Sequence, residues 1–241
     1  MIDLKGKNAL ITGSSRGIGQ QIALGLAKLG CNIIVHGRTK ESCASTVELL
    51  NKYKVNSYIV SGELSDEIQV NLLIDEVENL NIPIDILYNN AAIMTPYHEN
   101  YWDHNWEEWM LSFKVNVIAM YSLCRAFIPK MIENGFGRVI NTTSGIVHEP
   151  ELAPYGASKW AVNKLTDDLS VKLNNTGVRI NTLDPGWIRT DLGGKNADHA
   201  VEAVLPGALA PALIDNNGPN GASFSAIDHN LDVTFFKSNS N

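Results

Sequence analysis

Ala9-Leu10-Ile11-Thr12-Gly13-Ser14-Ser15-Arg16-Gly17-Ile18-Gly19 joins a short apolar run to a cluster of small residues, and then to a helical pattern in which Ile18, Ile22 and Leu26 recur every fourth residue. A strand that passes through a glycine-rich turn into a helix lets backbone N–H groups approach a pyrophosphate, whose charge the positive end of the helix dipole favours. Glycine triplets also occur in turns that merely pack a helix against a sheet, but the flanking strand and helix favour the ligand. Gly13, Ser14, Ser15, Arg16, Gly17, Ile18 and Gly19 are therefore the candidate cofactor cradle.

Outward from that turn, β-branched runs alternate with longer helix-period stretches, a rhythm that predicts βαβ units with right-handed crossovers onto a parallel sheet. Strands are expected at Ala9–Thr12, Asn32–Val35, Ser57–Val60, Asp85–Tyr88, Arg138–Asn141, Arg179–Leu183 and, as a seventh, Ala222–Ser225. Helices are expected over Ile18–Leu29, Ser42–Tyr53, Asp66–Leu80, Asn105–Asn134 and Tyr155–Asn174, with Pro129 bending or thinning the long one. With 44% hydrophobic and 19% charged residues among 241, the chain can bury one sizeable core. No linker or internal repeat interrupts it, so one domain over residues 1–236 is expected, with a loop at 191–206 facing the substrate and a polar tail at 237–241.

A net charge of −7 supplies no basic field for nucleic acid or an anionic membrane surface. No signal-peptide pattern opens the chain, and no apolar run of about 18 residues appears. Cys31, Cys43 and Cys124 lack CxxC spacing and suit a reducing compartment as small core residues. A cytoplasmic protein with a small-molecule partner is expected.

The choice of dinucleotide turns on the end of the second strand, where an acidic residue would accept hydrogen bonds from the adenosine ribose 2′-OH. The chain reads Val35-His36-Gly37-Arg38-Thr39-Lys40 there, and Arg38 with Arg16 would instead clamp a 2′-phosphate. NADP(H) is therefore preferred, with NAD(H) as the alternative, over the plain reading of Arg38 as a solvated surface residue.

Farther along, Ser144 follows the Arg138–Asn141 strand, and Tyr155 and Lys159 stand one helical turn apart on the same face. A neighbouring ammonium stabilises a phenolate and lowers the tyrosine pKa, which makes the pair a proton carrier for hydride transfer to or from a carbonyl. Ser144 could hydrogen-bond the carbonyl oxygen. Taken alone, a Tyr-x3-Lys pattern is usually structural; in company with a dinucleotide turn and a strand-end hydroxyl, it points to one site at the carboxyl edge of a parallel sheet.

These residues, with Asn89-Asn90-Ala91-Ala92, Val115-Asn116-Val117 and Asp184-Pro185-Gly186-Trp187-Ile188-Arg189-Thr190, resemble the short-chain dehydrogenase/reductase family over nearly the whole chain, in its single-domain, carbonyl-reductase-like form. The resemblance implies an α/β, Rossmann-type doubly wound, mostly parallel seven-stranded sheet with helices on both faces. It further implies catalytic roles for Asn116, Ser144, Tyr155 and Lys159, with Lys159 also binding the nicotinamide ribose and Asn116 holding a relay water. Cofactor contacts implied by the resemblance are Asn90 and Ala91, Pro185, Gly186, Ile188 and Thr190 near the nicotinamide, and Glu63 and Leu64, which stand where the family commonly has an Asp against adenine. Ala92 stands where the family usually has glycine, and the interval from Ser144 to Tyr155 is short. Relatives of this kind form homodimers or homotetramers.

Substrate contacts are expected from Met94, Ser144, His148, Tyr155 and Trp187. Tyr97, Tyr101, Trp102, Trp106, Trp109 and Met110 read first as core or subunit interface rather than as a substrate box. The histidines show no metal-ligand spacing, so no metal is expected. The reading that follows is an NADPH-dependent reductase of ketones or aldehydes, reversible toward secondary alcohols. A catalytically silent dinucleotide sensor of the same fold is its rival.

Overall fold

All the expected strands form, at β1 (Asn8–Ile11), β2 (Asn32–Gly37), β3 (Ser57–Ser61), β4 (Ile86–Asn89), β5 (Gly137–Thr142), β6 (Val178–Asp184) and β7 (Ala222–Ser225). In this computed structural model, which describes residues 2–227 and 234–235, they lie parallel in the order β3-β2-β1-β4-β5-β6-β7. A two-residue strand, β8 (Thr234–Phe235), pairs antiparallel with β7. The polar tail expected at 237–241 lies outside the described residues.

The helices are α1 (Gly17–Lys28), α2 (Ala44–Leu50), α3 (Glu67–Glu78), α4 (Trp106–Phe113), α5 (Met120–Glu133) and α6 (Ala153–Lys172). Residues alternate between the two faces of the sheet, and β1, β2, β4 and β5 are buried on both. Ala9 and Ile11 pack with Ile22 and Leu26 of α1 on one face, while Leu10 meets Leu73 of α3 and Phe127 of α5 on the other. The three cysteines are buried and unbridged.

The long helix departs from expectation in one respect. It is interrupted by the π-helical segment Lys114–Ala119, which joins α4 to α5, and α5 runs through Pro129. The continuous span Trp106–Glu133 is long and apolar enough by composition to cross a bilayer, yet 56% of its most apolar window is buried against the sheet. α6 begins at Ala153, ahead of the expected Tyr155, because Pro154 occupies the first turn, where its missing N–H costs nothing.

The strand order reverses between β1 and β4, and the carboxyl ends of these strands open a crevice of the kind in which doubly wound sheets bind ligands.

Candidate active site

A cleft of about 360 Å3 lies at that switch point, lined at one end by the glycine turn and at the other by Tyr155 and Lys159. Gly19 is packed so closely that a Cβ there would sit 2.4 Å from the Gly13 carbonyl oxygen and 2.7 Å from Asn90 Nδ2. Gly13 has φ +64° and backs onto Ala91, where a Cβ would lie 2.9 Å from the Ala91 Cα. Arg16 stands at the N-cap of α1 and makes no side-chain hydrogen bond to the first-turn N–H groups, which leaves them for a ligand. The turn thus fits a dinucleotide pyrophosphate.

Ser14, expected among the cofactor contacts, is turned into the sheet instead. Its hydroxyl donates to the Ile11 carbonyl (2.7 Å) and accepts the His36 N–H (3.0 Å), and its own N–H is taken by the His36 carbonyl. The hydroxyl thereby links the end of β1 to β2 and satisfies two buried backbone groups. Thr46 of α2 donates to the Ser14 carbonyl at 2.9 Å and fixes the turn from outside.

His36 lines the cleft beside the turn. The Gly13 N–H donates to its Nδ1 (3.1 Å), and its Nε2 faces the Gly62 carbonyl (3.1 Å), so the ring is neutral with its proton on Nε2. Burial pushes its pKa down to about 4, against the opposing Gly62 carbonyl and the charges of Glu63 and Glu76. Arg38 is exposed at the mouth and makes no hydrogen bond or ion pair to a described residue. Arg16 differs: its Nε lies 2.7 Å from Asp191 Oδ2, across the cleft rim. Glu63 accepts the Ser65 N–H, and Leu64 is buried against the cleft wall.

At the other end, Asn90 donates through Nδ2 to the Thr12 carbonyl (2.9 Å), and Thr12 Oγ1 accepts the N–H groups of Asn90 and Ala91. Asn116 lies in the π segment. Its amide donors reach the Ile93 carbonyl (3.0 Å) and Ser158 Oγ (2.9 Å), and its Oδ1 accepts the Ile93 N–H (2.9 Å). Ser158 in turn donates to the Tyr155 carbonyl, so Asn116 braces the start of α6.

Lys159 is almost fully buried, its Nζ donating to the Thr142 carbonyl at 2.8 Å and lying 5.8 Å from the centre of the Tyr155 ring. Burial lowers the Lys159 pKa to about 8, with the Asp184 carboxylate working against that fall. Tyr155 moves opposite to expectation. Burial raises the phenol's pKa, Asp184 adds to the rise, and the lowering influence is the Ser144 hydroxyl rather than the ammonium. A site this enclosed penalises phenolate more than the nearby lysine, itself desolvated, favours it.

Ser144 stands at the end of β5, and Gly145 after it packs so tightly that a Cβ would lie 2.6 Å from Asp184 Oδ2. Pro185 and Thr190 line the cleft, while Gly186 (φ +76°) donates its N–H to Asp184 Oδ1 at 2.9 Å. Ile188 is buried in the core. Trp187 is half exposed and donates through Nε1 to the Gly193 carbonyl, bracing the 191–206 loop. Met94, Ser144, His148 and Trp187 flank the cleft without lining it, and Met94 and His148 are exposed. Tyr97, Tyr101, Trp102 and Trp106 are exposed as well, which removes the core reading for them.

Residues 7–200 match the family model described as short chain dehydrogenase. The chain belongs to the short-chain dehydrogenase family. Among its relatives are 5-keto-D-gluconate 5-reductase of Escherichia coli, 31% identical over 80% of this chain and 76% of that protein, and 3-oxoacyl-[acyl-carrier-protein] reductase of Rickettsia conorii, 36% identical over 85% and 82%. A gluconate 5-dehydrogenase from Burkholderia cenocepacia, solved with NADP and tartrate, superposes with a TM-score of 0.80 at 28% identity over 92% of this chain and 94% of that one. The short-chain dehydrogenase described here is accordingly an NAD(P)-binding oxidoreductase with a Rossmann-like fold.

Sequence reasoning passed over three features of this short-chain dehydrogenase. His36 left a trace, being a polar residue in a strand buried on both faces. Asp184 was noted only as part of a motif, although its charge acts on both Tyr155 and Lys159. His104 and Glu108 are an i,i+4 pair that sequence could have shown, and His98 joins them in space, with one ligand atom from each within 4.8 Å of the others.

Proposed function

We propose that this short-chain dehydrogenase reduces a ketone or aldehyde with NADPH, and oxidises the matching secondary alcohol in reverse, with Tyr155 as general acid and base. One observation supports this reading above the rest: Tyr155 and Lys159 are buried together in the wall of the same cleft that holds the glycine turn. A bound nicotinamide supplies the hydride. Tyr155 delivers its phenolic proton to the oxygen that was the carbonyl, and its raised pKa keeps that proton in place at neutral pH, which suits reduction. Ser144 hydrogen-bonds the same oxygen as charge develops on it. Lys159 holds a ribose hydroxyl from its seat on the Thr142 carbonyl. Asn116 fixes the loop after β4 and the first turn of α6 relative to each other.

The preference for NADPH rests on Arg38, which is exposed beside Gly37 and unpaired among the described residues, whereas Arg16 is engaged by Asp191. Cofactor oxidation against a carbonyl panel, headed by a keto sugar acid and a 3-oxoacyl thioester on the strength of the relatives, tests the activity. The kcat/KM ratio of NADPH to NADH is expected to fall about 10- to 100-fold in Arg38→Leu, the loss of charge-assisted hydrogen bonds to a phosphate. Tight cofactor binding without turnover on any carbonyl would favour the sensor instead.

A further inference from the structure

We propose that His98, His104 and Glu108 form a binding site for a transition-metal dication of the zinc class, at the junction of the two loops that flank the substrate side of the cleft. His98 and His104 belong to the segment between β4 and α4, and Glu108 to the first turn of α4. His104 is oriented by Pro150, in the loop between β5 and α6: a carbonyl can only accept, so the 3.1 Å contact from His104 Nε2 puts the ring proton on Nε2. The Nδ1 lone pair of the neutral ring then points at Glu108 Oε2, another acceptor, across 3.4 Å. Two lone pairs facing each other on a side chain 3% exposed call for a cation between them, a proton or a metal, and Glu108 Oε2 also accepts the Asn105 N–H at 3.2 Å.

The 3.4 Å spacing at His104 is wider than a proton leaves it, whereas the 2.7 Å contact of His98 with Glu108 is that of a hydrogen bond, which an entering metal must open. A charge-assisted hydrogen bond between imidazolium and carboxylate closes to about 2.7–2.9 Å. Tetrahedral coordination with bonds of about 2.0–2.1 Å sets neighbouring ligand atoms about 3.3 Å apart, close to the separation found. An imidazole whose second nitrogen donates to a backbone carbonyl is also the usual state of a metal-ligating histidine. His98 supplies the third ligand. Its Nε2 lies 2.7 Å from Glu108 Oε1, and its Nδ1 has no hydrogen-bond partner among the described residues. The Nε2 proton moves to Nδ1 as the metal enters, so the ring stays neutral and binds through its freed lone pair. Two histidines and one carboxylate leave a fourth position for water.

The site would tie together segments that already touch lightly. The His98 N–H donates to the Glu151 carbonyl at 3.1 Å, and His104 holds Pro150. A bound metal would therefore brace the short loop between Ser144 and Tyr155 against the segment that carries Met94.

The test uses tag-free, full-length protein stripped with a chelator and titrated with Co2+, whose tetrahedral complexes absorb visibly, followed by Zn2+ competition and thermal melting. Stoichiometric tetrahedral absorption, displaced by Zn2+ and accompanied by a rise in Tm, is expected. Glu108→Gln keeps the α4 capping box, in which glutamine serves as well as glutamate, and so should match the wild-type Tm without metal. In that variant and in His98→Asn, affinity should fall by about 100-fold or more, since each removes a direct ligand. Absence of tetrahedral absorption in the wild type, or an equal signal in Glu108→Gln, would overturn the proposal and leave a histidine–carboxylate hydrogen-bond cluster.

Discussion

Replacing His36 by glutamine should change how stability depends on pH. The imidazole accepts the Gly13 N–H and is buried to the point that its pKa falls from 6.5 to about 4. A base with a lower pKa in the folded than in the unfolded chain binds fewer protons when folded, so its stability contribution is complete above about pH 6.5 and lost as pH falls toward 4. At about 1.36 kcal/mol per pKa unit, the two values imply a loss of about 2.5 kcal/mol between about pH 7 and pH 4.5. For a chain of this size that corresponds to about 5–10 °C in Tm. Glutamine can accept from Gly13 and donate to Gly62 but does not titrate, so its variant should lack this part of the acid dependence whatever constant cost the substitution carries. Urea unfolding of both proteins across that pH range measures the difference. Parallel pH curves would refute the reasoning, because they would mean that His36 is not held neutral by the fold. Protonation would also set a ring N–H against the Gly13 N–H, so wild-type cofactor affinity should weaken over the same interval.

Gly19→Ala should lower stability by roughly 1–3 kcal/mol, since its methyl meets the Gly13 carbonyl and not a yielding side-chain end. It should also raise the KM for cofactor, and calorimetry with steady-state kinetics would expose a neutral outcome. Asp184→Asn keeps an acceptor for the Gly186 N–H but removes the charge that raises the Tyr155 pKa. The basic limb of the kcat/KM profile for carbonyl reduction, where Tyr155 loses its proton, should therefore move to lower pH. An unmoved limb would exclude Asp184 from the proton chemistry.

The elements that follow from local pattern were legible in the sequence. The β-branched runs gave the strands because both faces of a parallel sheet must be apolar, and the glycine turn announced itself through its flanks. What escaped was decided by neighbours distant in sequence. Ser14 looked like a phosphate contact, yet β2 claims its hydroxyl and its N–H. The π turn in the long helix was not foreseen; it lies where Asn116 reaches across to Ile93 and Ser158. The direction of the Tyr155 pKa depended on how deeply α6 is buried, which spacing alone does not reveal. The exposed aromatic residues near α4 and the histidine pair beside them belong to a loop arrangement that no periodicity encodes.

The proton-transfer role of Tyr155 is tested most directly by single-turnover reduction in Tyr155→Phe, using the carbonyl compound on which the wild type is most active. Phenylalanine keeps the ring and its packing and removes only the acid. Cofactor Kd and Tm should stay near wild type while the reduction rate falls by about 100- to 10,000-fold, the range that a positioned acid contributes. A rate close to wild type would contradict the account.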